Sequence, residues 1–508
     1  MALSKARRAV LILVCLGLLL AALGILLVFL VPELIISQVK KNVQLDPNGG
    51  FTFEVWRDLP VPFYMSVYLF EVLNEKEILE GGKPKLAQRG PYVYREYKQK
   101  TNISFHHNNT VSYLEYRTLF FVPEMSNGTQ QDYVVSPNFL VLVISMLMQY
   151  ANPVTKWVIS GAFATFGEKA FMNRTVEEIM WGYNSPLLEF MQLTLPNTIP
   201  IKGKFGLFTS FNNTNSGLFN IFTGVDDVKK VQMVDKWNGQ KEVKFWNSKQ
   251  CNMINGTAGE MWPPFLKPDM DVEFYSPDAC RSMKFVYEKS GKYNGIPTYR
   301  YTAPNTMFAN GTVYPPNEGF CPCLASGVQN VSSCRFNAPL FLSFPHFYNA
   351  DPVFLQAVDG LSPSADLHSL FLDLHPLTGI PMNCSIKLQL NLYVKAIKGI
   401  AQTGMISPVL FPTLWFAETG YIAEPLLTTY YNQVVLIPAL FEYLQYVLIG
   451  LGGLLIVIAV IVEVTNKGSG FLFWSSSKKP KDNKEANLAI SENLIPEPNG
   501  TILQEASL

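Results

Sequence analysis

Two long runs without charge, one near each end, constrain this chain more than any other feature. The first, Ala9 to Val31, has 23 residues, enough to cross a hydrocarbon core of about 30 Å as a helix. The second, Tyr443 to Val462, has 20 and is closed by Glu463. A cleaved signal peptide is the alternative reading of the first, with Lys5, Arg7 and Arg8 as its basic leader. Against it, the run exceeds the roughly 7–15 residues of a signal core, and Pro32-Glu33 is not a small-residue cleavage site. It therefore reads as an uncleaved anchor. Lys5, Arg7 and Arg8 precede the first span, and Lys467, Lys478, Lys479 and Lys481 follow the second. Basic residues mark the cytosolic side, so both termini are expected there. The expected layout is a cytosolic N-terminus (1–8), a transmembrane helix (9–31), an ectodomain (32–442), a second transmembrane helix (443–462) and a cytosolic tail (463–508).

Two independent features place the segment between the anchors on the extracellular or lumenal side. Nine N-x-[ST] acceptors fall there: Asn102, Asn108, Asn127, Asn173, Asn212, Asn255, Asn310, Asn330 and Asn383. A tenth, Asn499, lies in the predicted tail and should stay bare. Six of the seven cysteines (Cys251, Cys280, Cys321, Cys323, Cys334, Cys384) also lie between the anchors, and only Cys15 lies in a span. An even set in an oxidising compartment suggests disulfides, although six cysteines allow fifteen pairings.

The segment between the spans has no low-complexity linker, charge block or detectable repeat, and it reads as one large domain. Ile35, Val39 and Val43 sit four apart, so the first anchor continues as a helix with an apolar stripe until Asp46-Pro47 stops it. From Ile386 to Lys395, apolar residues alternate with polar ones, the pattern of a half-buried strand. Tyr92 to Lys98, Val111 to Val122 and Thr298 to Thr302 read as further strands, and Phe205 to Val225 as a hairpin. The exception is Ser136 to Tyr183. Phe139 to Met148 and Trp157 to Phe171 read as apolar helices, and Thr175-Val-Glu-Glu178 as a capping box opening a third. This helical insert is either a buried hairpin or an apolar docking surface.

No catalytic motif is present: there is no G-x-S-x-G elbow and no H-E-x-x-H, and five histidines are too sparse for a metal cluster. Gly161 to Lys169 has five residues between its glycines and Glu168 before its lysine, which is not a phosphate loop. Cys321-Pro-Cys323 with Cys334 could be drawn as a zinc or redox site, but an oxidising compartment favours disulfides. The net charge is zero and names no nucleic-acid partner. The expectation is a non-enzymatic receptor or lipid conduit without a cofactor.

Several motifs spell out a family: Gly90-Pro-Tyr-Val-Tyr-Arg-Glu96, Asp235-Lys-Trp-Asn-Gly239, Cys251-Asn-Met-Ile-Asn-Gly256, Met261-Trp-Pro-Pro264, Pro316-Asn-Glu-Gly-Phe-Cys-Pro-Cys323 and His375-Pro-Leu-Thr-Gly-Ile-Pro381. With the two anchors, they resemble the class B scavenger receptors over essentially the whole chain. The tail sequences Phe473-Trp-Ser-Ser-Ser-Lys-Lys479 and Gln504-Glu-Ala-Ser-Leu508 are similar to those of the family's cell-surface lipoprotein receptor. The lysosomal member's acidic dileucine signal is not reproduced, since Ile490 stands where the acid belongs before Leu494-Ile495, and the fatty-acid translocase has a shorter tail.

The resemblance implies a large α+β ectodomain: an antiparallel β-barrel with an apolar tunnel and an apical helical bundle, formed here by residues 136–183. It implies a plasma-membrane receptor, in cholesterol-rich microdomains, that binds high-density lipoprotein and other lipoproteins. Such a receptor transfers cholesteryl ester, cholesterol and phospholipid selectively. The alternative is an endocytic or lysosomal receptor that takes its cargo whole. Lys156, Lys169 and Arg174 become candidate contacts for lipoprotein or anionic ligands, the bland alternative being solvated charge. Family pairing joins Cys280 to Cys334 and Cys321 to Cys323, leaving Cys251 and Cys384 either paired or free. The end at Leu508 resembles a PDZ-adaptor ligand, although Ala506 replaces the usual hydroxyl residue. Relatives can carry tail cysteines suited to acylation; this tail has none. Gly17 and Gly24, seven apart in the first span, offer a small-residue face to a partner helix and so a route to a homo-oligomer.

Overall fold

The structure is a computed structural model describing residues 5–46, 48, 51–194, 203–320 and 325–475. It divides into two compact units, 1–29 with 442–508, and 30–441.

In the first unit, the helix α1 (Lys5–Val43) lies beside the helix Ile437–Ser475 over the apolar runs seen in the sequence. The two approach closely at glycine. A Cβ on Gly17 would stand 2.8 Å from the Gly452 carbonyl, and one on Gly24 would stand 2.8 Å from that of Gln445. The partner of the Gly17 and Gly24 face is thus the chain's own second span. Small residues let apolar helices meet backbone to backbone, which is how helices associate without a hydrophobic driving force between them.

The second unit begins inside α1. Val39 and Val43 are buried against Val231 and Met261, with Ile35, Phe265, Leu377 and Ile380 around them. The stripe spaced by four is the part of the anchor helix that belongs to the ectodomain core. A short helix α2 (Phe51–Arg57) follows, and α3 (Glu75–Leu79) interrupts the first strands.

The strands are β1 (Phe63–Val72), β2 (Leu86–His106), β3 (Thr110–Phe121), β4 (Tyr133–Pro137), β5 (Phe171–Thr175), β6 (Thr214–Phe222), β7 (Val234–Trp237) and β8 (Val272–Ser276). After these come β9 (Arg281–Tyr293), β10 (Ile296–Thr302), β11 (Val328–Asn330), β12 (Leu340–Ser343), β13 (Phe371–Leu374), β14 (Pro381–Val394) and β15 (Val409–Tyr421). Among the described residues, all but β4 and β5 join one antiparallel sheet, ordered β7-β6-β3-β2-β1-β15-β14-β13-β10-β9-β8, with β12 also on β14 and β11 on β12. The alternation at Ile386 to Lys395 falls in β14 up to Val394, and the strand pairs with β15 over most of its length. The predicted hairpin at Phe205 to Val225 is not one. Its first limb is a 3-10 turn at Leu207–Ser210, and β6 instead joins β3 and β7.

The sheet is nearly closed into a barrel, its two end strands linked through the segment Gly256-Thr257. Thr257 bridges Met233, beside β7, on one flank and Phe274 of β8 on the other. Its neighbour Gly256 accepts a hydrogen bond from the Val234 amide. Gly256 has φ +79°, and a Cβ there would stand 2.2 Å from the Glu273 backbone, so the closure requires glycine.

The helical insert contains α4 (Phe139–Leu147), α5 (Pro153–Thr165), α6 (Val176–Trp181) and α7 (Pro186–Thr194), with β4 paired to β5. Asn138 and Asn152 cap α4 and α5 by accepting from the Val141 and Thr155 amides, and Pro153 occupies the first turn of α5. Thr175 and Glu178 make the reciprocal capping box. The insert runs on through α7, beyond Tyr183. Its core of Leu140, Val141, Ile144, Ile159, Phe163, Leu187 and Met191 includes Ile397 and Ile400 from the segment before β15. Val134, Val176 and Met180 join Tyr94, Leu119 and Leu414 of the barrel.

Candidate functional site

Two features depart from ordinary packing, one in the barrel and one on the cap. In β2 the two-residue period puts Glu96, Lys98 and Lys100 on the inward face and leaves Tyr97 exposed. Register with β3 sets Lys98 opposite Arg117 and Lys100 opposite Glu115. Buried charge is tolerated only when compensated, and the sheet supplies partners from distant strands and loops. Lys98 Nζ reaches Glu418 Oε1 of β15 at 2.5 Å and lies 4.4 Å over the Phe63 ring. Lys100 Nζ binds Glu115 at 3.1 Å, donates to the Trp56 carbonyl at 2.9 Å and contacts Glu260. Arg117 donates to Asp278 at 2.8 Å and to Ser216.

This belt holds five carboxyl groups (Glu96, Glu115, Glu260, Asp278, Glu418) against three cations. The mismatch appears in the protonation of its members. Burial pushes Glu96 up to about 7, with Lys98 opposing and Glu418 reinforcing. Burial likewise pushes Glu260 up to about 8. At Glu115 burial is overcome by Lys100 and a hydrogen bond from Glu260, and the carboxyl falls to about 2. Burial thus favours the protonated forms of Glu96 and Glu260 within the belt. Both oxygens of Glu96 and Oε2 of Glu260 are buried without a hydrogen-bond partner.

The belt also faces space. Asp278, Glu418 and Lys98 keep 35%, 23% and 15% of their side-chain surfaces accessible, so the belt borders open space. Around the belt the inner face is apolar, with Met65 and Ile386 opposite Glu418 and Phe416 and Leu390 nearby. The lining therefore combines apolar walls with a band of charge that no local sequence pattern announces.

A second buried polar cluster lies beside β15. His346 Nδ1 accepts from the Ser362 amide at 3.1 Å, so Nε2 carries the proton and donates to Gln88 Oε1 at 2.7 Å. Trp415 Nε1 donates to the same oxygen at 2.7 Å. The His368 ring stacks on His346 at 4.4 Å. Burial pushes both imidazoles down to about 4, helped at His346 by His368 and at His368 by Lys387.

On the cap, α5 is apolar on two faces. Ile159, Ala162 and Phe163 fill the core, while Val154, Trp157 and Val158 lie outward, with Trp157 75% and Val154 71% exposed. Exposed Tyr150 precedes them and exposed Leu193 lies on α7. Of the basic candidates, Lys156 donates to the Gln149 carbonyl, and Arg174 pairs with Glu178 at 3.2 Å over the Tyr183 ring. Lys169 is exposed. Two of the three thus already serve the cap's own structure.

Among the cysteines, Cys280 is bonded to Cys334, while Cys251 and Cys384 are free thiols. Cys321, Cys323, Leu508 and Asn499 lie outside the described residues. Asn102, Asn108, Asn127 and Asn173 are exposed, and Asn212, Asn255, Asn310, Asn330 and Asn383 are partly so.

Comparison with known proteins decides the family. The CD36 family model matches residues 15–463. The chain belongs to the CD36 family. This CD36-family chain is 56% identical over 506 residues to Scavenger receptor class B member 1 of Sus scrofa, covering 99% of each. The Bos taurus protein of that name is 55% identical over 507 residues. Lysosome membrane protein 2 of Homo sapiens is 34% identical over 392 residues, 76% of this chain and 80% of the relative.

Proposed function

We propose that this chain is a cell-surface lipoprotein receptor that binds high-density lipoprotein through its cap. On this reading it transfers cholesteryl ester, cholesterol and other lipids selectively through the ectodomain to the plasma membrane. The observation that carries the reading is the outward stripe of α5, where Val154, Trp157 and Val158 stand in water although the opposite face of the helix is already packed. Exposed apolar surface of this kind suits a partner that offers hydrocarbon, such as the lipid coat of a particle. The high identity to proteins named scavenger receptors supports it.

Transfer needs a covered path. Moving an eighteen-carbon acyl chain through water costs roughly 14 kcal/mol at about 0.8 kcal/mol per methylene. The accessible space beside the barrel's inner face supplies part of such a path, and a concentration gradient supplies the drive. Both termini are cytosolic in this reading, and the tail end at Leu508 engages a PDZ adaptor. Lys169 contributes to anionic-ligand binding.

The test is dual-label uptake in transfected cells, following lipoprotein protein and cholesteryl ester separately. Excess uptake of the ester label supports the proposal. Equal uptake of both labels indicates an endocytic receptor instead and overturns selective transfer.

A further inference from the structure

We propose that the outer wall of the barrel at Phe120 and Tyr97 seats the first sugar of an N-glycan on Asn212, so that the chain covers this aromatic face with its own carbohydrate. The inference is independent of lipid transfer and concerns the side of the sheet opposite the charged belt.

The two-residue period of β1, β2 and β3 builds the face. Tyr64, Arg95 and Phe120 stand in one row across the three strands, with Tyr97 next along β2. Phe120 and Tyr97 are 56% and 54% exposed, and their rings meet edge to face at 5.7 Å. Arg95 lies 5.1 Å over the Tyr97 ring and 5.0 Å over that of Tyr64, which stacks in turn on Tyr421. One exposed ring is ordinary, but a connected set on one sheet face calls for a cover.

Asn212 stands at the edge of this face. β6 pairs with β3 only as far as Thr214 opposite Arg117, so beyond that point the β6 side of β3 has no strand among the described residues. Asn212 and Asn213 fill the gap. The Asn213 amide donates to the Arg117 carbonyl at 2.8 Å, Thr118 Oγ1 donates to Asn213 Oδ1 at 3.0 Å, and the Leu119 amide donates to Asn212 Oδ1 at 2.9 Å. Only the oxygen of a carboxamide accepts from an N–H, so Asn212 Nδ2, the atom that takes the sugar, is turned away from the strand. The acceptor is thus fastened to the residue next to Phe120.

An N-acetylglucosamine matches the face in two ways. Its ring presents a side of C–H groups, which is attracted to the electron-rich face of an aromatic ring. Its hydroxyl and acetamide oxygens suit the guanidinium of Arg95, which makes no ion pair among the described residues. A hydrocarbon partner would cover the rings but leave that guanidinium without an acceptor. Covered by sugar, the barrel wall does not compete with the outward stripe of α5 for an apolar partner.

The experiment uses full-length protein in detergent, produced in cells that make only high-mannose glycans. Mass spectrometry reads the occupancy of Asn212 and, after a brief pulse of hydroxyl radicals, the oxidation of Tyr97 and Phe120, with exposed Trp157 as the internal standard. Three forms are compared: untreated protein, protein trimmed by endoglycosidase H to one N-acetylglucosamine, and Thr214→Ala, which loses the acceptor signal but keeps the Asn212 carboxamide. Tyr97 and Phe120 should oxidise at least about threefold faster in Thr214→Ala than in untreated protein, whereas the trimmed form should stay within about 1.5-fold of it. Equal oxidation in Thr214→Ala and untreated protein overturns the proposal, as does a bare Asn212 in untreated protein. Protection that is lost on trimming overturns it too, because the outer sugars then shield the wall by bulk alone. If Thr214→Ala disturbs folding, which a change at Trp157 would report, wild-type protein stripped by peptide N-glycosidase F supplies the bare form.

Discussion

Helix α5 of the cap and strand β2 of the barrel invert each other. In α5, Val154 and Trp157 face water. In β2, Lys98, Lys100 and Glu96 face inward, and Tyr97 lies exposed on the outside. Either arrangement is unfavourable for a domain that only has to fold, since apolar area gains about 25 cal/mol per Å² on burial and unpaired buried charge costs several kcal/mol. The two faults differ in how they are made tolerable. Among the described residues the cap's stripe stays uncovered, as expected of a surface that finds its cover in a partner. The belt is compensated almost group by group, and its residue of imbalance sits at Glu96 and Glu260.

The sharpest way to break this contrast is at Lys100. Lys100→Met leaves Glu115 and Glu260 facing each other without their shared cation, and should destabilise the protein by about 3–5 kcal/mol in chemical denaturation. Replacing Lys100, Glu115 and Glu260 together with apolar residues should recover most of that loss. If the single substitution is harmless, the belt is not held by charge pairing. Next in size is Gly256→Ala. It strains the barrel closure by about 2–4 kcal/mol through its left-handed backbone and the contact with Glu273, again measured by denaturation.

On the cap the expected effects fall on binding instead. Trp157→Asp should weaken high-density lipoprotein capture about tenfold while changing stability by no more than about 0.5 kcal/mol. A large loss of stability in that variant would show that the stripe is structural after all.

The smallest effects are pH slopes. His346 and His368 titrate near 4 in the folded protein against 6.5 when free. They cost nothing above pH 6.5, but between 6.5 and 4 the unfolded chain takes up protons that the folded one refuses, so stability falls with acid. Glu260 acts in the other direction. It is held in its acid form to about 8 against 4.5, so stability falls as pH rises through that window. Melting temperature followed against pH should lose part of its acid limb in His346→Gln and part of its alkaline limb in Glu260→Gln.

Sequence reasoning reached the parts of this molecule that local chemistry determines. The strand at Ile386 to Lys395 has its apolar side chains two apart, and the Thr175 capping box needs only residues three apart, so both could be read directly. The anchor helix running into the ectodomain was legible from Ile35, Val39 and Val43 for the same reason. The belt was not. Glu96 to Lys100 alternates as a strand should, but periodicity cannot say which face turns inward. The groups that settle it, Glu418 for Lys98 and Glu260 for Lys100, lie 320 and 160 residues away. The supposed hairpin at Phe205 failed because β6 finds its partners in β3 and β7, where a nearest-neighbour reading does not look. Gly17 and Gly24 were recognisable as a contact face, yet their partner in the same chain emerges only once the two ends come together.

Thr257 carries one more consequence, concerning the order of events during biosynthesis. It is the hydroxyl residue of the acceptor Asn255-Gly-Thr257, and it also lies at the seam of the barrel's two edges, 1% exposed, its own backbone hydrogen-bonded to Glu273 and Tyr275 on one side while the adjoining Gly256 carbonyl accepts from Val234 on the other. An oligosaccharyltransferase must take an acceptor segment in an extended, accessible form. Any sugar on Asn255 must accordingly be attached while the chain is still emerging and the two edges are apart, because the seam, once sealed, withdraws the signal that directs the modification.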